Sequence, residues 1–287
     1  MNPVVFLVSY PKSGNTWFRV FLENLVFAKD EPADINKLTL ARIISSRELF
    51  DDVTGLESTN LAPHEIDNLR PGVIWQISTE AKNTMYFKVH DACLNTPDGS
   101  AFIHPDVPAK VLYFIRNPLD VVVSFAHHDA CAFDETIRTL ADDESMLFPP
   151  GPRCRSQLHQ RILSWSNHVK SWLSAEQLER HLIRYEDMYH LPAKTFCGAV
   201  QFLGLEKTQA EIEKALEFSR FNILKKQEDK HGFNEKRVIA ESFFRKGVAG
   251  SWRESLTEKQ VARIIADHRD VMRQFGYLND ENQIVFG

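Results

Sequence analysis

The chain has 287 residues, of which 43% are hydrophobic and 25% are charged, and its formal net charge is −5. This content suffices for one large α/β domain, and no Pro/Gly/Ser-rich linker or internal repeat divides it, so we predict a single domain over residues 1–287. The negative balance argues against a broad nucleic-acid-binding surface, although it is compatible with a local basic pocket.

The start of the chain predicts a strand, a loop and a helix. Residues 4–8 form a continuous apolar run, which is typical of a strand buried on both faces, and residues 16–28 carry apolar side chains at helical spacing. The run is too short for a signal peptide or a membrane span, and no later segment is long enough to cross a bilayer. We therefore expect a cytoplasmic protein with no membrane partner.

Strands and helices alternate along the remainder of the chain. Residues 85–89 and 111–115 are also predicted to be buried strands, and a helix over residues 118–128 begins with a proline. The other predicted elements are a long amphipathic helix over residues 158–172, a strand over residues 182–185, a helix over residues 192–203 that ends at Gly204, and helices with capping boxes at Thr208 and Thr257. This alternation predicts an α/β protein with a central parallel sheet covered on both faces and ligands at the carboxyl ends of its strands.

The cysteines indicate a reduced setting. Four are present, at Cys93, Cys131, Cys154 and Cys197, and they lie far apart with no C-x-x-C pair. This spacing gives no support to a structural zinc site or to a disulfide framework. No cluster of His, Cys, Asp and Glu suggests a metal, and we expect none to be required.

The loop between the first strand and the first helix has the composition of a phosphate site. Lys12 brings a positive charge, Gly14 allows the backbone to approach an anion, and Ser13, Asn15 and Thr16 are hydrogen-bond donors. The start of the following helix adds unpaired N–H groups and the positive end of the helix dipole. We therefore predict that an anion binds here.

The Walker A motif, G-x-x-x-x-G-K-[ST], is the main rival interpretation of this loop. The loop has one glycine, and the lysine precedes it, so the Gly-Lys-Ser/Thr end that places a hydroxyl on magnesium is missing. An ATP-using P-loop kinase or NTPase remains an alternative function. A polar turn with a chance lysine is the alternative without a ligand.

Two later segments add cations and a second small-residue turn. Arg116 follows the strand over residues 111–115, and Ser124 lies two turns into the next helix. Nearer the C-terminus, Arg245 and Lys246 are adjacent cations, and Gly247 exposes another backbone N–H. These residues suggest a local basic pocket in an acidic protein.

Taken in order, these segments resemble the cytosolic type of sulfotransferase that uses 3′-phosphoadenosine 5′-phosphosulfate (PAPS). The family's Y-P-K-S-G-T-T-W, R-N-x-x-D-x-x-x-S and R-K-G-x-x-G-D-W motifs are matched at residues 10–17, 116–124 and 245–252, with Asn15 and Ser251 as departures. Shorter similarities occur at residues 164–172, 184–188 and 218–221. The resemblance spans about residues 4–256 and implies a three-layer α/β/α, P-loop nucleotide-kinase-like fold.

The resemblance also implies a role for each donor-site residue. The residues that would hold the 5′-phosphosulfate are Lys12, Ser13, Gly14, Asn15 and Thr16. Those that would hold the 3′-phosphate are Arg116, Ser124, Arg245, Lys246 and Gly247. Those that would surround adenine are Trp17, Ser219 and Phe221, with Tyr185 at the edge of the base. Arginine suits this task because its planar fork binds phosphate in a bidentate manner.

His90 is the predicted general base. It follows the strand over residues 85–89, where the family has K-x-H, and a histidine that titrates near neutral pH can take a proton from an acceptor hydroxyl. Lys12 would stabilise charge on the leaving oxygen, and Lys88 would assist at the sulfuryl group. The sulfuryl group would pass in line to the acceptor, leaving 3′-phosphoadenosine 5′-phosphate (PAP).

The acceptor is the least determined partner. We expect variable loops near residues 30–80 and 129–156 to form its pocket, and the start close to Met1 resembles bacterial members that modify specialised metabolites. Acids over residues 129–144 suggest either a solvated loop or a lid for a cationic acceptor, whereas Trp75 and nearby phenylalanines suit an aromatic or lipid-like alcohol. An inactive nucleotide-binding protein is a further alternative. Residues 253–262 match the family's dimer segment at Thr257 alone, which leaves the oligomeric state open.

Overall fold

The computed structural model describes residues 3–151 and 155–285, and Cys154 therefore lies outside the described residues. The strands are β1 (Val4–Ser9), β2 (Ala41–Ile43), β3 (Met85–Val89), β4 (Ala109–Ile115), β5 (Met146–Leu147), β6 (Gln160–Arg161) and β7 (Glu179–Arg184). The α-helices are α1 (Asn15–Phe27), α2 (Arg47–Thr54), α3 (Pro63–Glu80), α4 (Pro118–Asp129), α5 (Phe133–Ala141), α6 (Trp165–Leu173), α7 (Tyr185–His190), α8 (Pro192–Leu203), α9 (Gln209–Phe218), α10 (Phe221–His231) and α11 (Glu258–Gln274). Short 3-10 helices cover Ser58–Asn60 and Ser251–Glu254.

A parallel five-stranded sheet with helices on its faces forms the centre of the fold. Its strand order is β2-β3-β1-β4-β7. All six residues of β1 are buried, and β1 pairs with β3 in the register Val4↔Met85 to Val8↔Val89. A strand that is covered on both faces has no polar side, which explains the unbroken apolar run in the sequence. The predicted fold class is confirmed.

The chain forms two compact units. The first contains the residues up to Tyr10 together with Ala41–Tyr113 and Asp143–Arg180, and the second contains Pro11–Leu40, Phe114–Asp142 and the residues from His181 onward. Strands β4 and β7 each contribute residues to both units. The prediction of a single domain over residues 1–287 stays a prediction.

Most predicted element boundaries agree with the structure. The helix predicted over residues 16–28 is α1, shifted by one residue, and the helix predicted over residues 192–203 has those bounds. Gly204 ends α8 in the left-handed conformation, with a φ of 69°, which glycine adopts at little cost. Thr208 and Thr257 both form the predicted capping boxes.

The long helix predicted over residues 158–172 is wrong in its first half. Only Trp165–Leu173 is helical, and Gln160–Arg161 forms strand β6 instead. Leu163 has a φ of 57°, which interrupts a right-handed helix, and Ser164 then caps α6 by accepting a hydrogen bond from the Asn167 N–H. Burial of the apolar side chains in an extended segment produced the helical spacing by coincidence.

The two segments predicted as loops contain regular structure, which corrects that description. Residues 30–80 include β2, α2 and α3, and residues 129–156 include α5 and β5, apart from residues 152–154, which are not described. Helix α3 continues through Pro71, and because a proline ring normally interrupts a helix, its pattern did not predict this element. Whether these segments line an acceptor pocket stays a prediction.

Three further features of the described residues concern membranes, thiols and metals. In residues 3–151 and 155–285, no helix combines the length and the apolar character that crossing a membrane requires. Cys93, Cys131 and Cys197 are free thiols. Within the same ranges, no group of three or more His, Cys, Asp or Glu residues is arranged to hold a metal ion.

Candidate active site

The phosphate loop, residues 11–16, has a backbone shaped for close approach of an anion. Lys12 and Gly14 both adopt positive φ angles, of 69° and 100°, and no side chain caps the start of α1 at Gly14. Because glycine has no side chain, residue 14 offers no capping acceptor to the first backbone N–H groups of α1, where an anion could bind. Left-handed backbone at a non-glycine residue such as Lys12 is uncommon, and such residues are found at functional sites as well as in structural turns.

Ser13 gives a direct test of whether a ligand fits this loop. Its side chain is fully buried, and its Oγ has no hydrogen-bond partner among the described residues. A buried hydroxyl without a partner is costly, so native proteins rarely leave one unless a ligand or water completes it. An anion seated on the α1 N-terminus would complete it.

Arg116 joins the phosphate loop to residues 245–252, which we call the C-terminal turn. Its guanidinium donates to the Lys12 carbonyl and to the Val248 carbonyl, both at 3.1 Å, and lies 4.0 Å from the centre of the Tyr185 ring. Its Nε has no hydrogen-bond partner among the described residues. The buried guanidinium of Arg116 therefore contacts the phosphate loop, the C-terminal turn and Tyr185. Its Nε N–H could donate to a further acceptor, such as a ligand oxygen.

The second cation of the site is Arg245, whereas Lys246 points elsewhere. Burial and then the charge of Arg116 lower the pKa of Arg245, the direction expected where two cations share one region of the protein. An anion would relieve the repulsion between them. Lys246 instead forms an ion pair of 2.6 Å with Glu254 at the surface, so its side chain is not gathered with Arg116.

Aromatic side chains lie beside both Gly247 and Gly14. Trp17 and Phe221 pack against one cluster of buried apolar residues, and a Cβ at Gly247 would lie 2.1 Å from the Phe221 ring. Trp17 also makes an edge contact with Tyr185, whose ring lies against Gly14. The structure thus brings together the three aromatic residues predicted to surround adenine.

Ser219 and Ser124 are placed differently from these residues. Ser219 ends α9 and donates its hydroxyl to the Ala215 carbonyl at 2.7 Å, which commits that hydroxyl to the helix end. Ser124 is half-buried in the second turn of α4. Their predicted contacts with the donor stay predictions.

Asp120 fixes the C-terminal turn, a role that the sequence did not disclose. Its fully buried carboxylate accepts hydrogen bonds from the Gly250 N–H at 2.7 Å, the Ser251 hydroxyl at 3.1 Å and the Trp252 N–H at 3.1 Å. A carboxylate with three donors is well compensated for burial. Asp120 therefore holds the turn that carries Arg245 and Gly247, and Ser251 adds to this contact rather than weakening it.

Phe243 is a second residue that sequence reasoning missed. The Lys12 Nζ lies 3.8 Å from the centre of the Phe243 ring, which is a cation–π distance. Buried Glu228 accepts hydrogen bonds from the backbone N–H groups of Phe243 and Phe244, at 2.6 and 3.0 Å. Lys12, which is predicted to stabilise charge on the leaving oxygen, thus lies against an aromatic ring whose backbone is held by Glu228.

His90 directly follows β3 and is oriented by the end of β1. Its Nδ1 lies 2.7 Å from the Ser9 carbonyl oxygen and 3.3 Å from the Ser9 hydroxyl. A carbonyl oxygen can only accept, so Nδ1 carries the proton and, in the neutral ring, Nε2 carries the lone pair. Lys88 is half-buried on β3, two residues before His90, and its register partner on β1 is Leu7.

Three of the six acidic residues over positions 129–144 have partners within the protein. Asp129 pairs with Arg237 at 3.2 Å, Asp134 accepts from the Gln260 amide at 2.8 Å, and Asp143 accepts from the Asn167 amide at 2.7 Å. These contacts give the three carboxylates structural roles. They reduce the support for a lid that attracts a cationic acceptor.

Comparisons with known proteins identify the family. Residues 2–276 match the model of the sulfotransferase domain family. The chain is 32% identical to sulfotransferase 2A6 of Rattus norvegicus, covering 90% of this chain and 80% of that protein, and 28% identical to flavonol 3-sulfotransferase of Flaveria bidentis, covering 91% and 78%.

Solved structures show the same fold. Retinol dehydratase in a complex with retinol and PAP superposes with a TM-score of 0.62 at 19% identity, covering 95% of this chain and 82% of the other. Mouse sulfotransferase SULT7A1 complexed with PAP gives 0.58 at 20% identity, covering 94% and 84%. With the family model matched across nearly the whole chain, we conclude that this protein belongs to the PAPS-dependent sulfotransferase family and is a sulfotransferase.

Proposed function

We propose that this protein transfers the sulfuryl group of PAPS to a hydroxyl, or alternatively an amine, of a small-molecule acceptor, with His90 as the general base. The observation that carries the proposal is the position of Arg116, which contacts both the phosphate loop and the C-terminal turn. A donor with phosphates at both its 3′ and 5′ positions needs two anion sites, and Arg116 contacts both of the loops that would supply them.

The donor would be held by residues of the second unit. Lys12, Ser13 and the first turn of α1 would take the 5′-phosphosulfate, since Ser13 is buried without a partner among the described residues and the helix end favours an anion. Arg116 and Arg245 would take the 3′-phosphate, assisted by Ser124 and the Gly247 N–H, and Lys246 would have to leave its ion pair with Glu254 to join them. Trp17, Phe221 and Tyr185 offer apolar faces for a flat base.

The proton transfer follows from the ring orientation of His90. Because Nδ1 donates to the Ser9 carbonyl, Nε2 is the nitrogen that would accept the proton of the acceptor hydroxyl. The new S–O bond would form as the S–O bond to the leaving 5′-phosphate breaks, in an in-line displacement. Lys12 would stabilise the charge that builds on the leaving oxygen, and Lys88 would assist at the sulfuryl group.

The acceptor is proposed only as a class. Relatives are named for flavonols and steroids, and a neutral aromatic or lipid-like alcohol agrees better with the paired acids over residues 129–144 than a cationic metabolite does. A cytoplasmic location belongs to the same proposal.

A labelled-donor screen tests the function. The purified protein would be incubated with PAPS and a panel of phenols, aliphatic alcohols and amines, both neutral and cationic, and products would be read by mass spectrometry. We expect a gain of one sulfuryl group and release of PAP without added Mg²⁺. Turnover of ATP with Mg²⁺, in place of PAPS, would favour the kinase alternative, and PAP binding without any transfer would favour an inactive nucleotide-binding protein.

Gly247→Ala should weaken the donor site. Gly247 has a φ of 64°, and an added Cβ would collide with the Phe221 ring, so either the turn or the ring must move. We expect PAP affinity to fall by about tenfold, which corresponds to about 1.4 kcal/mol, as measured by calorimetry.

Gly204→Ala is the matched control for this substitution. Its φ of 69° carries the same backbone strain, but nothing lies within 4 Å of the added Cβ. It should lower the free energy of unfolding by about 1 kcal/mol and leave PAP affinity unchanged. Equal PAP affinities for the two variants would contradict the proposed role of the Gly247 turn.

A further inference from the structure

The segment directly after β3, residues 90–93, is held by hydrogen bonds at four consecutive residues. The His90 carbonyl accepts from His168 Nε2 at 3.1 Å, and the Asp91 carbonyl accepts from the Trp172 indole at 2.9 Å. The Ala92 N–H donates to the Arg161 carbonyl at 2.7 Å, and the Cys93 N–H donates to the Ser171 hydroxyl at 3.0 Å.

Three of these four contacts come from one face of α6. His168, Ser171 and Trp172 are spaced at i, i+3 and i+4, which places their side chains on the same side of a helix. The Ser171 hydroxyl in turn donates to the His168 carbonyl at 2.8 Å. Asp91 is fixed separately by a buried two-pronged ion pair with Arg70, with both N–O distances at 2.7 Å.

His168 has a single hydrogen-bonding arrangement. Its Nε2 must donate, because its partner is the His90 carbonyl, so its Nδ1 accepts from the Tyr113 hydroxyl at 2.7 Å. Burial lowers the pKa of His168 to about 3, and burial also raises the pKa of Tyr113. Both groups therefore stay neutral near pH 7, and the donor and acceptor in each of these two hydrogen bonds stay the same in that pH range.

We infer that His168 is a positioning residue for His90: through the His90 carbonyl, the polar face of α6 fixes the backbone from which the imidazole reaches the acceptor. The Ser9 carbonyl fixes the ring at Nδ1, and His168 fixes the main chain that carries it. Both contacts are needed to aim Nε2, because a hydrogen bond at one ring nitrogen leaves the ring free to swing with its backbone. This inference rests on the proposed role of His90.

The test compares two amides at position 168. His168→Gln can place an amide N–H where Nε2 stood, whereas His168→Asn reaches only as far as Nδ1. We expect His168→Gln to keep most of the kcat and His168→Asn to lose about tenfold or more, because small misplacements of a catalytic group are costly. PAP affinity should be the same in both variants, since His168 is not a donor-site residue.

A spectroscopic readout separates positioning from general stability. The His90 ring would be titrated by NMR, and we expect its apparent pKa to be retained in His168→Gln and shifted in His168→Asn. Lys170→Ala, an exposed site on the same helix, is the control for changes in α6. Equal kcat values and equal His90 titration in the two amide variants would overturn the inference. A fall in kcat in both variants that only follows a fall in melting temperature would also overturn it.

The same assay keeps this inference distinct from the proposed function. His90→Asn would be measured beside the position-168 variants. If His90→Asn retains the wild-type kcat, the proposed role of His90 fails. If His90→Asn is inactive and His168→Asn is fully active, the positioning role of His168 fails while the proposed function stands.

Discussion

His90→Asn is expected to lower kcat by about 10²- to 10⁴-fold, the range that general-base catalysis contributes. Asparagine can place an amide N–H near the position of Nδ1 and so keep the bond to the Ser9 carbonyl, but it has no group that accepts a proton in the place of Nε2. The affinity for PAP should not change, because His90 is not one of the proposed donor-site residues. Steady-state kinetics with PAPS and an accepted alcohol, together with PAP calorimetry, would measure both.

A control histidine makes this result specific. His104 is exposed and contacts Asp106 at the surface of the same unit, so His104→Ala should retain the wild-type kcat. A His90→Asn variant with wild-type kcat would refute the general-base mechanism. Loss of PAP affinity in that variant would show instead that His90 supports the donor site.

Arg116→Ala should weaken PAP binding by about 100-fold. The substitution removes a cation from the site and also releases the Lys12 and Val248 carbonyls, which are 104 and 132 residues away in the chain. Charge-assisted hydrogen bonds are worth about 1.5–3 kcal/mol each, and one such loss corresponds to about 10- to 150-fold in affinity. Calorimetry with PAP, in the absence of acceptor, measures this directly.

Arg116→Lys distinguishes charge from geometry. Lysine retains the charge, but an ammonium cannot bridge two carbonyls and lie flat on the Tyr185 ring as a guanidinium does. We expect about a tenfold weakening of PAP binding for this variant and none for Arg269→Ala, an exposed arginine on α11. Wild-type affinity in Arg116→Lys would show that the bridging contacts do not matter to the donor.

The sequence predicted those elements whose environment produces a recognisable pattern of residues along the chain. Strand β1 is buried on both faces and so appears as an unbroken apolar run, and α8 is bounded by Pro192 and Gly204. The first half of the predicted helix over residues 158–172 failed because strand pairing at β6 and the left-handed Leu163 are decided by tertiary contacts. Helix α3 was missed because Pro71 lies inside it.

The residues of the candidate site were likewise predicted only in part. The resemblance named the phosphate loop and Arg116, and the structure brings them into contact. Asp120, Phe243 and His168 were given no role, because each acts on a residue far away in the chain and no local spacing encodes such a partner. His168 lies in the segment over residues 164–172, whose similarity to the family implies no role for it. Its contact with the His90 carbonyl, 78 residues away, is visible only in three dimensions.

The anchoring of the C-terminal turn by Asp120 has a consequence for how the protein is made. Its three donors, at residues 250–252, follow it by 130 to 132 residues. A nascent chain that has not yet extruded those residues can form β1, β3 and β4 but cannot complete the carboxylate's hydrogen bonds. Contacts between such distant segments form late and slowly. The nucleotide site should therefore appear only near the end of synthesis, and a chain that stops before Gly250 should fail to retain PAP.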